Sequence, residues 1–255
     1  MDRKCFETVL FLLALVLDAG IATVLTGVFN GLSLKVRSVN VIGQRGGAMF
    51  EQTITSEAEL RELMGWPTEL VQRKVLPALD DHCRNFIAHS PFVLVSTANA
   101  AGECDVSPRG DLPGSVLVLD SKRLVIAERP GNRRMDTLRN ILSNPHIGLL
   151  FLVPGMGETL RVNGEAVLTQ DPALLEQLIV KGKRPQLAIG VTVNECYLHC
   201  AKAFRRSGLW EPERWPDRTN LPTAGTIFLD HMQIKDQTAA DLDCSLEEAY
   251  TQRLY

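Results

Sequence analysis

Short apolar runs bounded by turn residues dominate the chain from Pro91 onward, and they predict strands. Phe92-Val93-Leu94-Val95-Ser96-Thr97 has strand composition, Asn99-Ala100-Ala101-Gly102 reads as a turn, and Cys104-Asp105-Val106-Ser107 as the returning strand. Residues 116–119 and 124–127 flank Asp120-Ser121-Lys122 as a second hairpin. Residues 147–153 form a strongly apolar strand, Pro154-Gly155-Met156-Gly157 turns into a long strand over 159–168, and 187–193 and 197–202 supply the last strands. Helical signals are fewer. Ser56 with Glu59 matches a capping box, and Gly65-Trp66-Pro67 ends that helix. Leu70, Leu79, Cys83, Phe86 and Ile87 mark an amphipathic stretch that Pro77 must kink or split. A short helix around 135–142 ends at Asn144-Pro145, and Asp171-Pro172 opens another that runs to about Lys181. Residues 211–240 read as loop, and Ser245 with Glu248 caps a short terminal helix.

Hairpin-linked strands without β-α-β alternation predict an α+β, mainly β fold: an antiparallel barrel or sandwich with flanking helices. Gly155-Met156-Gly157 lacks a third glycine and precedes a strand, so it fails as a dinucleotide fingerprint.

The first 48 residues stand apart. Residues 9–29 are mostly apolar after Arg3 and Lys4, and are just long enough to span a bilayer. Asp18 near the middle opposes that at roughly 2.5–3.5 kcal/mol. Three readings fit: an over-extended start upstream of Met49, a membrane anchor, or a buried extra helix. The first is preferred, because Met49 opens a normal soluble sequence and the codons of Gly46-Gly47 suit a ribosome-binding site. The chain is thus read as an N-terminal extension at 1–48, a barrel domain at 49–220, and a loop and C-terminal helix at 221–255 that pack on the barrel.

Composition narrows the function. A net charge of −3 argues against a general nucleic-acid binder. The six cysteines include no C-x-x-C pair, and Cys196, Cys200 and His199 fall short of a four-ligand zinc set, so no metal is expected. Reduced thiols point to a cytoplasmic protein, or a membrane-anchored one if residues 9–29 are an anchor.

Four clusters carry candidate chemistry. Glu128-Arg129-Pro130-Gly131-Asn132-Arg133-Arg134 sets three arginines around a Pro-Gly turn just before a helix start. Arginine forks and free helix N–H groups both suit a phosphate, whereas the bland alternative is a solvated basic loop. Asp105-Val106-Ser107-Pro108-Arg109-Gly110-Asp111 ends a strand in polar and charged groups. Arg161 is alone among apolar neighbours, and needs a partner if buried. Lys202, Arg205, Arg206 and Ser207 precede Trp210, an aromatic plane able to cover a flavin ring.

These segments together resemble the pyridoxamine 5′-phosphate oxidase-like superfamily of FMN-binding split barrels, and most closely a subgroup described as FMN-dependent enzymes of that class. The resemblance covers roughly 54–216 and the extreme C-terminus at Leu254-Tyr255. Besides the first two clusters it rests on Asn144-Pro145-His146-Ile147-Gly148-Leu149-Leu150-Phe151, Glu158-Thr159-Leu160-Arg161-Val162-Asn163-Gly164, His199-Cys200-Ala201-Lys202-Ala203 and Trp210-Glu211-Pro212-Glu213-Arg214-Trp215-Pro216. It implies a six-stranded split barrel and a homodimer with FMN at its interface. On that resemblance, Arg133 and Arg134 hold the FMN phosphate with Asn132 and Thr137 beside them, and Ser107 and Arg109 face the ring and ribityl groups. Arg161 lies near the flavin's polar edge, and Lys202, Ser207 and Trp210 come from the partner subunit.

The Arg-x-His pattern that clamps substrate in true pyridoxamine-phosphate oxidases is not recognisable here, and no catalytic residue can be named. The expected function is an FMN-dependent oxidoreductase acting on a small molecule. The alternatives are a non-catalytic flavin- or haem-binding barrel and a deazaflavin-dependent reductase.

Overall fold

The computed structural model describes residues 50–255 and, for their backbone alone, the strands β1 (Ala22–Thr26) and β2 (Lys35–Val39). Most of the apolar 9–29 stretch, including Asp18, therefore lies outside the described residues. Contacts divide the chain into two units, Met1–Trp66 and Pro67–Tyr255. In the first, β1 and β2 pair antiparallel, and helix α1 (Glu57–Met64) begins at Ser56. The Ser56 hydroxyl accepts from the Glu59 N–H at 3.2 Å, as the capping pattern predicts, while the Glu59 carboxylate accepts from the Thr55 N–H. No described helix is long and apolar enough to cross a membrane.

In the second unit Pro77 splits the predicted amphipathic stretch. Helix α2 (Glu69–Arg73) stops before it, and α3 (Asp81–His89) starts after it. Between them, Leu76 exchanges two backbone hydrogen bonds with Cys196. Asp80 caps α3 by accepting the Cys83 N–H at 2.8 Å, and that bond holds its carboxyl below the ordinary 3.8. Asp80→Ala should cost about 1 kcal/mol at neutral pH. Because the folded-state pKa is the lower one, this contribution is complete above 3.8 and fades as pH falls through the folded value. Urea melts of the variant and the parent should therefore converge in acid.

The main sheet joins β3 (Phe92–Ala98), β4 (Cys104–Gly110), β5 (Leu117–Val118), β6 (Arg123–Ala127), β7 (His146–Leu152), β8 (Thr159–Thr169) and β9 (Ala188–His199). Their order is β4-β3-β7-β8-β9-β6-β5, with every neighbouring pair antiparallel. Helices α4 (Asp136–Ser143), α5 (Pro172–Gln177), α6 (Lys202–Ser207), α7 (Ala224–Met232) and α8 (Ala239–Gln252) complete the unit. This is the expected split barrel with flanking helices, built on seven strands rather than six. The additional one is the two-residue β5, paired at the sheet edge with β6.

Alternation decides what lies inside. Val93, Val95 and Thr97 of β3, Ile147, Leu149 and Phe151 of β7, and Leu160 and Val162 of β8 are buried, each two residues from the next on its strand. Leu79, just before α3, and Cys83 and Ile87 on it close the core. Cys83 and Cys196 meet there with Sγ atoms 3.8 Å apart. Burial pushes the Cys83 thiol up to about 12, so it packs as a small apolar group.

Four local expectations are corrected. The two strands expected over 187–193 and 197–202 are one strand ending at His199, because a bulge absorbs the polar Asn194-Glu195 step: Asn163 pairs with Glu195 and Gly164 with Val193. Lys202 instead opens α6. The stretch 211–240 contains two 3₁₀ turns and α7, and α8 starts at Thr238, whose reciprocal cap with Asp241 precedes Ser245. Gly225 lets α7 lie against α8: a Cβ there would stand 2.2 Å from the Ala239 carbonyl oxygen. The helix opened by Asp171-Pro172 is shorter than expected, ending at Gln177.

Candidate functional site

Strand β4 points every second residue inward, so Asp105, Ser107 and Arg109 share one face while Val106 and Pro108 look outward. That face borders a cavity of about 1440 Å³, whose other walls are the 126–138 segment, residues 183–187 and Leu254-Tyr255. Ligand sites commonly measure ~300–1,000 Å³, so the cavity is large enough for a cofactor. Six cationic side chains and four carboxylates line it: Arg109, Arg129, Arg133, Arg134, Lys183 and Arg184 against Asp105, Asp111, Glu128 and Asp136. Val93, Phe151, Ile126 and Leu138 supply apolar wall.

The charges are sorted by pairing. Arg109 is bound to Glu128 in a partly buried ion pair, and its Nε is buried with no hydrogen-bond partner among the described residues. Arg129 donates through Nε to Asp111 at 2.8 Å and through Nη2 to the Leu178 carbonyl at 2.9 Å. Two successive residues at the end of β6 are thus tied to the end of β4. Arg134 is held by Asp136 at 2.8 Å, an exposed pair that contributes little to stability. Arg133 has no carboxylate partner among the described residues.

The loop leading into α4 is conformationally unusual. Arg133 and Met135 both adopt left-handed backbone angles, with φ of 61° and 60°. Side-chain-bearing residues rarely do so, and such strain concentrates at binding sites. The Asn132 side chain accepts the Arg134 N–H at 3.0 Å and so shapes the turn. Met135 occupies the N-cap position and supplies no capping side chain. The first intrahelical bond runs from the Arg139 N–H to the Met135 carbonyl, which leaves the N–H groups of Asp136, Thr137 and Leu138 ahead of it without intrahelical acceptors. The Thr137 hydroxyl donates to Asp105 at 2.7 Å, so what Thr137 offers the cavity is its backbone N–H.

Six of the ten residues singled out from sequence therefore line one cavity: Ser107, Arg109, Asn132, Arg133, Arg134 and Thr137. Arg161, Lys202, Ser207 and Trp210 do not. Arg161 donates to the Tyr197 hydroxyl at 2.8 Å and lies over that ring, as does Lys74. Trp210 stacks on Phe204 and donates to the Met156 carbonyl. Lys202 and Ser207 are exposed on α6. His199, beside this group, has its pKa lowered by burial and by the charges of Arg161 and Lys74.

Sequence reasoning missed Glu128 as the partner of Arg109, the anchoring role of Arg129, and the cations Lys183 and Arg184. Alternation along β4 could have placed Arg109 on the inner face. Nothing local signals a pairing between residues 19 positions apart.

Residues 79–200 match the family profile described as pyridoxamine 5′-phosphate oxidase. No curated protein matches the sequence. Among solved structures, HupZ from Group A Streptococcus is 18% identical, with 47% of this chain and 93% of that one covered at a TM-score of 0.40. A protein from Lactobacillus delbrueckii assigned as a pyridoxamine 5′-phosphate oxidase is 22% identical, covering 48% and 95% at 0.38. An FMN-binding protein from Syntrophomonas wolfei is 10% identical, covering 56% and 96% at 0.36. The profile match spans the strands and the basic loop that build the cavity, and through this segment, just under half of its length, the chain is similar to the pyridoxamine 5′-phosphate oxidase family.

Proposed function

We propose that the Pro67–Tyr255 unit is an FMN-dependent oxidoreductase acting on a small molecule, with the FMN phosphate seated at the start of α4. The observation that carries this reading is the uncapped first turn of α4, entered through left-handed Arg133 and Met135, at the wall of a cavity with spare cationic donors. Free helix N–H groups and unpaired guanidinium groups are the donor set that a phosphate monoester requires. The residues present fit the cofactor at its other end too, since the buried Nε of Arg109 lacks an acceptor that a polar cofactor edge could supply.

In this reading Arg133 and Arg134 bind the phosphate, with Arg134 exchanging its exposed contact with Asp136 for one to phosphate oxygens. Asn132 holds the loop in register. Arg109, kept in place by Glu128, directs positive charge into the cavity, and Ser107 stands two residues away on the same face. Bound FMN would supply the redox chemistry, while the chain supplies binding, orientation and electrostatics. We further propose a homodimer, in which a second copy brings Arg161, Lys202, Ser207 and Trp210 to the flavin. Their separation from the cavity supports this, as do the exposed Leu198, Leu209 and Trp215 beside them in sequence.

The purified protein is expected to show the visible absorption of oxidised flavin, or to acquire it on titration with FMN, and to pass electrons from a reductant to an acceptor. A colourless protein that does not bind FMN would sink the proposal. Bound FMN that no reductant or oxidant changes would favour a non-catalytic binder, and preference for a deazaflavin or haem over FMN would replace the cofactor.

A further inference from the structure

Three side chains that the phosphate-binding role leaves unused meet at one side of the cavity. Asp111, in the loop after β4, has both carboxylate oxygens engaged: Oδ1 accepts the Tyr255 hydroxyl and the neighbouring Leu112 N–H, each at 2.8 Å, and Oδ2 accepts Arg129 Nε at 2.8 Å. The Asp111 side chain is 8% exposed and that of Arg129 is 16% exposed. The Tyr255 ring lies against two cations, with the Arg129 guanidinium 5.8 Å and the Lys181 ammonium 5.0 Å from its centre. Lys181 reaches it from a left-handed backbone position, φ 49°. Tyr255 and Asp111 are 144 residues apart, so the contact belongs to the folded chain alone.

A buried carboxylate needs its acceptor sites filled, and an arginine fork is held more firmly by a carboxylate that cannot rotate. Arg129 is the first residue of the basic loop, and α4 fixes the loop's far end. The placement of Arg129 therefore sets the starting point from which Asn132, Arg133 and Arg134 are displayed. The hydrogen bond to Asp111 raises the pKa of Tyr255, with burial and the Asp111 charge adding to it, so its hydroxyl stays a donor at neutral pH.

We propose that Tyr255 is a positioning residue for the phosphate-binding loop: its hydroxyl fixes the Asp111 carboxylate, which in turn fixes Arg129. This rests on the FMN reading of the same cavity. Arg129 is then the anchor of the loop, while Arg133 and Arg134 touch phosphate.

Tyr255→Phe keeps the ring against both cations and removes only the hydroxyl. In FMN-free protein, backbone amides of residues 129–135 should exchange hydrogen roughly tenfold faster in this variant, while those of β7 and β8 stay unchanged. FMN affinity should fall roughly tenfold, and riboflavin affinity, which involves no phosphate, should not change. Asp111→Asn should loosen the same amides at least as much. Unchanged exchange at 129–135, or an increase spread evenly over the barrel, would overturn the proposal. Failure of the parent protein to bind FMN would count against the FMN reading instead, and the exchange result would still decide whether Tyr255 holds the loop.

Discussion

Replacing Arg133 and Arg134 together by alanine is expected to weaken FMN binding roughly 100-fold or more while leaving the fold intact. Each arginine would contribute a charge-assisted hydrogen bond to the phosphate worth about 1.5–3 kcal/mol, and each 1.4 kcal/mol is about tenfold in affinity. Stability should hardly move. Arg134 makes only an exposed pair with Asp136, and Arg133 makes no ion pair among the described residues. Riboflavin gives the internal control, because it presents the same ring and ribityl chain without the phosphate. It should bind the parent and the variant equally. If FMN affinity is unaltered in the variant, or if riboflavin loses as much as FMN, the phosphate does not sit at this loop. A single Arg134→Lys replacement should recover part of the affinity, since the charge remains and the planar fork does not.

The second large effect concerns the barrel. Gly164 lies where β8 crosses the bulge in β9, and a Cβ there would stand 2.0 Å from the Thr192 carbonyl oxygen. The nearest atoms are all backbone of Thr192 and Val193 in β9, with no flexible side chain to yield, so Gly164→Ala must push apart the longest strand pair of the sheet. We expect a loss of about 3 kcal/mol, the upper part of the range for overpacking, or roughly 6–12 °C in melting temperature for a chain of this size. Gly131→Ala, where a Cβ meets nothing within 4 Å, should melt within ~0.5 kcal/mol of the parent. Equal melting of Gly164→Ala and the parent would mean that β8 and β9 do not cross as described.

The two predictions separate roles that the sequence runs together. Both Gly164 and the basic loop belong to segments that carry the family resemblance, yet one maintains strand spacing and the other presents donors. Arg129 shows the same division within a single loop. By composition it is one of three arginines around a Pro-Gly turn. By geometry its guanidinium is tied to Asp111 and the Leu178 carbonyl, whereas those of Arg133 and Arg134 are not held by buried partners.

Much of the strand framework was legible from the chain itself, because the physics behind it is local. Residues 92–98 and 146–152 place apolar side chains on one face by period-two alternation, and Asn99 to Gly102 turns because the Asn99 side chain accepts the Ala101 and Glu103 N–H groups. Pro77 interrupts a helix whose interior it would occupy, and Ser56 caps from three residues away. The basic loop was recognisable as a phosphate candidate for a similar reason: arginine forks and a helix start are properties of neighbouring residues.

Tertiary structure alone decided the rest, through contacts between residues far apart in sequence. Whether Asn194-Glu195 breaks a strand or bulges within it depends on β8 lying alongside, and the short β5 exists as a strand because β6 pairs with it. Which cations stay available depends on which carboxylates fold next to them: Glu128 takes Arg109, Asp111 takes Arg129, and Arg133 is left. Tyr255 reaches Asp111 across 144 residues, a distance over which no periodicity or cap carries information. Local pattern thus determined the barrel strands and named the loop, and three-dimensional packing chose which of its arginines anchor and which remain to bind.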